Sequence, residues 1–384
     1  MASKHKILAL LLFSFGLVCG RINADDRLQW LAVEFPNDSP LGVVSYSLGD
    51  STATVKGISL ALNLHTSLTL RNLGTKPIQG LALRVQAQDL TPAGSASVTV
   101  PSLNVMPGEV FPVRLDLELL RPFNSSRTEG ALVQVTLDGV LFDDLSFYGP
   151  DRLHLRRSLT VYEKEARRDR RYFRTLIESG QTAKVREEMN FGLPDLRAPQ
   201  LGFELLHSLR NRQSQSRPVA LASVSLPHSP VEVVDGAATI YRNEVSAGKL
   251  DLRNRSAKTV ETVDVGWILR DDRGQGFMAG SMPAKIQIGP VQSAVYQQTG
   301  VFRVSHLSGR PMLVDGVSVF VNDVQFDNGD VWIPSRTDIA QAELEPALKT
   351  AIASSPEQQK LAAIYRKKGL NALYEELRRT KAEP

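Results

Sequence analysis

The side chains able to do chemistry are few and widely separated. Beyond residue 24 the histidines are His65, His154, His207, His228 and His306. No two lie within about twenty residues of each other, so there is no local metal-ligand or His-Glu-x-x-His spacing. The one cysteine, Cys19, sits near the amino terminus and leaves the body of the chain without a thiol nucleophile. No Gly-x-Ser-x-Gly elbow and no glycine-rich phosphate loop occurs. Clustered oxygens do occur. Asp327, Asn328 and Asp330 offer the carboxylate and amide oxygens that calcium takes, and Phe142-Asp143-Asp144 holds the corresponding place earlier in the chain. Yet no glutamate closes a loop of about twelve residues counted from Asp327. Asn328-Gly329 is also what a tight hairpin turn requires, and the turn is the favoured reading. The pair Asp271-Asp272 reads the same way, as a solvated turn.

Two further sets of residues bear on binding. Trp332 and Tyr296, with Trp30 and Tyr148, are the few aromatics available for stacking on a sugar. Arg71-Asn72 and Arg253-Asn254 end equivalent strands of an internal repeat. They suit either an anionic ligand or a structural tie from the side chain to the backbone carbonyls of the next loop. The structural role is favoured, and on it Arg253→Ala is expected to lower the melting temperature.

Those residues need elements to position them. The chain has 384 residues, 42% of them hydrophobic and 22% charged, enough for two ordinary domains with cores. A net charge of +4 is far from a nucleic-acid signature. Residues 1–24 read as a signal peptide, with Lys4 and Lys6 before the apolar run Ile7 to Val18 and with Gly20 or Ala24 ending it. That run is shorter than the roughly 20 residues of a membrane span, and none follows, so the mature chain is expected to lack a transmembrane segment. Cys19 would anchor a lipoprotein, but Val18 stands where such signals want a small residue. The expectation is an exported chain, periplasmic or extracellular.

Ser67-Leu-Thr-Leu-Arg-Asn72 returns as Lys249-Leu-Asp-Leu-Arg-Asn254, an offset of 182. The same offset pairs Leu81, Leu83 and Val85 with Val263, Val265 and Trp267, at the period of two that one strand face demands. Pro107 and Pro290 match at 183, and the stretch from Val135 to Asp144 matches Val319 to Asn328 at 184. Short alternating runs, from 42–48 to 140–147 and from 219–226 to 324–332, fill both copies. With no interleaved helices they argue for two β-sandwiches. Trp267, on a core-facing position, resembles the core tryptophan of immunoglobulin domains, although the flanking cysteines are missing and Val85 replaces it in the first copy. The chain thus resembles exported bacterial proteins with tandem immunoglobulin-like β-sandwich domains, a likeness of fold class that brings no functional residues with it.

The expected organisation is a signal peptide over 1–24, sandwiches over 25–154 and 217–336, a helical connector over 155–216 and carboxyl-terminal helices over 337–384. In the connector, Thr160-Val-Tyr-Glu163 reads as a capping box and Gly180 as a stop for a helix over 158–180. Its run Lys164-Glu-Ala-Arg-Arg-Asp-Arg-Arg171 interleaves both signs, as a solvated helix laced with i,i+4 pairs does. Shorter helices are expected at 182–189 and 200–210. Asp338 is expected to cap a helix running to about 352, Ser355 to start another, and Gly369 to break that one before Asn371. Together these readings point to a non-catalytic binding or scaffold protein with a protein or envelope partner. The alternatives are a carbohydrate-binding module and a hydrolase whose carboxylates the fold assembles.

Overall fold

The structure is a computed structural model and describes residues 30–87, 95–122, 131–190, 201–206, 216–298, 300–306 and 310–379. The signal segment with Cys19, the residue His207 and most of the polar stretch 211–217 lie outside the described residues. The chain is mainly β, 49% strand against 23% helix, with several open sheets and helices at its carboxyl end. Two compact units divide it: Met1–Arg71, Leu83–Val98 and Val110–Leu137 form one, and Asn72–Ala82, Thr99–Glu109 and Asp138–Pro384 the other.

The first strands are β1 (Leu31–Glu34), β2 (Leu41–Ser47), β3 (Thr52–Lys56), β4 (Ser59–Asn72), β5 (Ile78–Gln86), β6 (Ser95–Val100), β7 (Val110–Pro122), β8 (Val133–Phe142) and β9 (Phe147–Tyr148). One sheet has the order β1-β8-β5-β6 with β9 on β8, and another the order β2-β4-β3 with β7 also on β4. Helices α1 (Arg156–Glu178) and α2 (Thr182–Asn190) follow, then β10 (Leu201–Leu206). The later strands are β11 (Arg217–Ala220), β12 (Ala222–Ser223), β13 (Val231–Tyr241), β14 (Glu244–Asn254), β15 (Val260–Asp271), β16 (Gly276–Ile288), β17 (Ser293–Gln297), β18 (Val301–His306), β19 (Val314–Phe326) and β20 (Val331–Trp332). They form sheets of order β12-β19-β15-β16, with β20 on β19, and β10-β18-β14-β13-β11, with β17 on β14. The chain closes with α3 (Arg336–Gln341), α4 (Pro346–Ala353) and α5 (Pro356–Arg379).

The sheets β1-β8-β5-β6 and β12-β19-β15-β16 run in the same sequence of roles. In each, the opening strand lies parallel on the last long one, Leu31 opposite Val133 in the first and Ala222 opposite Ser318 in the second. A further match precedes them: Ser39-Pro40-Leu41 against Ser229-Pro230-Val231, an offset of 190. Both serines are buried and bond to the strand they introduce, Ser39 Oγ accepting from Leu41 N and Ser229 Oγ donating to Val231 O.

In the later sheets, Val263, Val265, Trp267 and Leu269 of β15 join Val231 and Val233 of β13, Leu250 and Leu252 of β14 and Val319 of β19 in one core. The intervening face of β15 is buried as well. Ile268 packs with Phe320, Ile339, Leu348 and Ile352, so α3 and α4 cover that side. Gly266 permits this, since a Cβ there would stand 2.2 Å from the Phe320 ring. Trp267 is fully buried, 5.6 Å from the Phe302 ring centroid, with its Nε1 unpartnered among the described residues.

Several expectations need correction. Residues 201–206 are a strand, not a helix, paired antiparallel with β18 from Leu201 opposite His306 to Leu206 opposite Val301. Leu201, Phe203 and Leu205 alternate with other residues at period two, and the edge of β18 supplies the ladder. Helix α1 begins at Arg156, where Asp151 Oδ1 accepts from Arg156 N (3.0 Å), and Thr160 is already inside it, its hydroxyl donating to Arg156 O (2.8 Å). The helix expected from 338 to 352 is two helices. Ser335 and Asp338 form a capping box on α3, the chain turns extended at Ala342, and Pro346 opens α4, because proline fits a first turn and not a helix interior. Gly180 (φ 73°) and Gly369 (φ 82°) do break helices where expected, in the left-handed region that favours glycine.

Candidate functional site

Helix α1 is the element around which charged residues gather. The expectation of a solvated helix fails here, for Glu163, Asp169 and Arg170 are all buried along with Leu159, Ala166, Phe173 and Leu176. Near its start, Leu159 packs on Ala82 and Leu141 and lies against Gly80, where a Cβ would stand 2.8 Å from Leu159 Cδ2. Near its end, Phe173 and Leu176 form a cluster with Val185 and Met189 of α2 and Leu361, Leu373 and Leu377 of α5. Leu361 and Leu373 are thus core residues of a helical layer. It is α3 and α4 that pack on the sheet.

Asp169, 0% exposed, is the hub of the polar contacts. Its Oδ1 accepts from Arg168 Nε and from Arg336 Nε, each at 2.9 Å, and its Oδ2 accepts from the Ser355 hydroxyl at 2.5 Å. Ser355 Oγ in turn accepts from Gln358 N and caps α5. Arg168 also donates to the carbonyls of Pro334 and Ala353, and Arg336 to Gln358 Oε1. A second group centres on Glu163, whose Oε1 accepts from Arg167 Nε (2.7 Å) and Arg170 Nη2 (3.1 Å). Arg167 donates as well to Asp143 O.

A third group is made of carboxylates. Arg157 Nη2 lies 2.5 Å from Asp323 Oδ1 and 4.0 Å from Asp264 Oδ1, and Asn322 Nδ2 donates to Asp264 Oδ2. Burial, reinforced by the charge of Asp264 and opposed by Arg157, pushes Asp323 up to about 7. Glu165 rises to about 7 as well, again through burial, with Arg168 opposing. Sequence reasoning missed this group. Asn322-Asp323 interrupts an alternating run and so reads as a turn, but the pair lies inside β19.

Beside α1 an open groove of about 690 Å³ is lined by Lys164, Arg167, Arg168, Arg171 and Tyr172 of the helix and by the segment from Val331 to Arg336. Most of its cations are engaged as described. Lys164 is half-buried, and burial lowers its pKa against the opposing pull of Asp330. Arg171 is exposed. Tyr172 donates to the Glu188 carboxylate, and burial, reinforced by that hydrogen bond, raises its pKa.

The residues singled out from sequence are scattered. Asp327, Asn328 and Asp330 form the hairpin between β19 and β20, with Gly329 at φ 83°. The Asp330 carboxylate is engaged by Lys258 Nζ at 2.5 Å and by Asn328 Nδ2. Lys76 Nζ meets Asp144 Oδ2 in the same way at 2.5 Å and holds that carboxyl down at about 2. Among the described residues no group of three or more His, Cys, Asp or Glu is placed to hold a metal ion. Trp332 lines the groove, but Tyr296 lies on β17 in the other sheet, so the two do not form one aromatic face.

The Arg-Asn pairs divide their roles. Asn72 Nδ2 donates to Lys76 O and Val105 O, and Asn254 Nδ2 to Lys258 O, Ile288 O and Gly289 O. Each Oδ1 accepts a backbone N–H two residues on, from Gly74 and Ser256. Both asparagines are 0% exposed, whereas Arg71 and Arg253 are exposed. The tie to the loop carbonyls is therefore made by asparagine and not by arginine. Finally, Ser246-Ala-Gly-Lys249 has the Ser-x-x-Lys spacing of some acyl-transfer sites. It lies on β14, where a bulge at Gly248 sets both side chains on one face, but Lys249 pairs with Asp251 at 3.2 Å.

No protein-family model matches the sequence. No curated protein matches it either. Among solved structures, a red sea bream transglutaminase aligns at 9% identity over 74% of this chain and 31% of its own, with a TM-score of 0.10. A two-domain protein of unknown function from Bacteroides fragilis aligns at 11% identity over 73% of this chain and 92% of its own, TM-score 0.12. The CBM32 and M60 catalytic domains of Clostridium perfringens ZmpB align at 8% identity over 88% of this chain and 42% of theirs, TM-score 0.11. These likenesses identify no family. The chain spans less than a third of the transglutaminase it aligns with. No helix among the described residues is long and apolar enough to cross a membrane.

Proposed function

We propose that this is an exported binding or scaffold protein, built from two copies of an immunoglobulin-like β-sandwich, that works through protein–protein or envelope-surface contacts. The observation that carries the reading is the groove beside α1. Its walls are fixed by buried ion pairs on Asp169 and Glu163, and it stays open, with Lys164 and Arg171 making no hydrogen bond or ion pair among the described residues. A preorganised surface of this kind favours binding, because little side-chain entropy is lost when a partner docks. The matching sheet orders, the parallel opening strands and the paired asparagine ties support duplication. The basic and apolar run at residues 4–18 supports export.

A photo-cross-linking residue placed at Thr175, in the groove, or at Gln287, on an exposed strand position, tests the reading in intact cells. One stoichiometric cross-linked partner from either position is the expected result. The absence of any partner from both positions defeats it.

A second reading, hydrolysis by assembled carboxylates, draws on the raised pair Asp323 and Glu165. Asp264 and Asp323 are only 5% and 2% exposed and are closed off by Arg157, so the arrangement favours a structural role. Hydrolysis of any glycoside or ester that Asp323→Asn abolishes without unfolding would reverse that preference.

A further inference from the structure

We infer that the groove beside α1 receives an extended acidic and apolar peptide segment of a partner protein, with its carboxylates on Lys164 and Arg171. This rests on the binding reading above and names its occupant. Three observations select the ligand class. The first is which polar groups remain. Arg167, Arg168 and Arg336 direct their donors to Glu163, Asp169, Gln358 and backbone carbonyls. Lys164 and Arg171 are left among the lining cations without a hydrogen bond or ion pair among the described residues. Asp330 attracts Lys164 only through space while its carboxylate bonds to Lys258, and a half-buried ammonium without a direct partner gains more from a carboxylate than one in open water does.

The second observation is spacing. Lys164 and Arg171 lie two helical turns apart, about 10 Å along the axis. An extended chain covers that span in about three residues. Side chains on one face of that chain fall two or four positions apart, so two acidic residues four positions apart, about 13 Å, bracket both cations at once.

The third is the character of the floor. Tyr172, Trp332, Ile333 and Pro334 give it a largely apolar surface. A glycan presents hydroxyls that would find few free polar partners there, and burying them unpaired is costly. A planar lipid surface cannot enter a recess. Apolar side chains between the acidic ones would fill it.

The test uses the full mature chain and fluorescence anisotropy. The probes are a labelled ten-residue peptide of glutamate, leucine and phenylalanine with glutamates four positions apart, its lysine counterpart, and phosphatidylglycerol vesicles. Binding of the acidic peptide alone, weakened by salt and by at least about ten-fold in the Lys164→Gln, Arg171→Gln double variant, is the expected result. An unchanged melting temperature of the variant excludes misfolding as the cause. Equal binding of the lysine peptide, indifference to the double variant, or vesicle binding without peptide binding overturns the inference. So does a cellular cross-link from position 175 that the double variant retains in full, an outcome that leaves the broader binding reading standing. Absence of a cross-linked partner from both positions in the unaltered chain instead defeats that broader reading.

Discussion

Asn72 and Asn254 show how much one amide can do at the end of a strand. Each spends no surface on solvent and joins the strand end to carbonyls on two other segments, about 4 and 34 residues away in sequence. Replacing Asn254 by alanine strands three carbonyls and the Ser256 amide, and a loss of about 3 kcal/mol is expected. Urea titration should show that loss in Asn254→Ala and less than about 0.5 kcal/mol in Arg253→Ala. The sequence displays the Arg-Asn pair twice but does not say which member is buried; strand alternation decides that, and it turns the asparagine inward. Titration supplies a second residue-level expectation. Asp323 and Glu165 sit near 7 when folded, mainly through burial, against about 4 when unfolded. The stability their protonation contributes is fully present below about pH 4 and is lost as pH rises through about 7. Glu165→Gln should therefore lower the difference in unfolding free energy between pH 5 and pH 8, and make the variant the more stable protein at pH 8. An unaltered pH profile would count against the buried position of that carboxyl.

At the scale of elements, α1 departs furthest from what its sequence suggests. The pattern of alternating charges correctly implies the Arg167–Glu163 pair, four residues apart. It is silent on Arg336–Asp169 and on Arg168 with the carbonyl of Ala353, contacts that join positions 167 and 185 residues apart. Local spacing carries no information about such partners, so a helix buried in ion pairs reads as a solvated one. Asp169→Ala leaves two guanidinium groups beside an empty site, and a destabilisation of about 3–5 kcal/mol is expected by chemical denaturation. Arg171→Ala, on the groove rim, should change stability by less than about 0.5 kcal/mol. The strands were legible as a set, but their ends were not. Asp138-Gly139 and Asn322-Asp323 look like turns and yet lie inside β8 and β19, because Asp138 accepts from Arg152 N and Leu153 N and Asp323 meets Arg157. Polar residues satisfied by distant partners are indistinguishable in sequence from those satisfied by water.

For the whole molecule, the recurring sequence segments are the feature most visible in advance, and Ser39-Pro40 against Ser229-Pro230 adds a match at an offset of 190. The helices resist such reading, since they have no second copy to compare with. Their arrangement gives its own expectation. Removing residues after Ser354 takes α5 away from Phe173, Leu176 and Met189. Hydrogen exchange should then accelerate in α2 and the later half of α1 while β15 and β19 keep their protection. Uniform loss across all of them would mean that the helices and the sheets open as one. The parallel opening strands carry a consequence of another kind, one of timing. Leu31 pairs with Val133 and Ala222 with Ser318, each pair roughly a hundred residues apart along the chain. A ribosome adding about 5–20 residues per second delivers the first partner some 5–20 s before the second. Throughout that interval the opening strand of each half has no neighbour to lie on. Each half must therefore wait for its last long strand before it can shut, and a chain released early would leave both ends of the ladder bare.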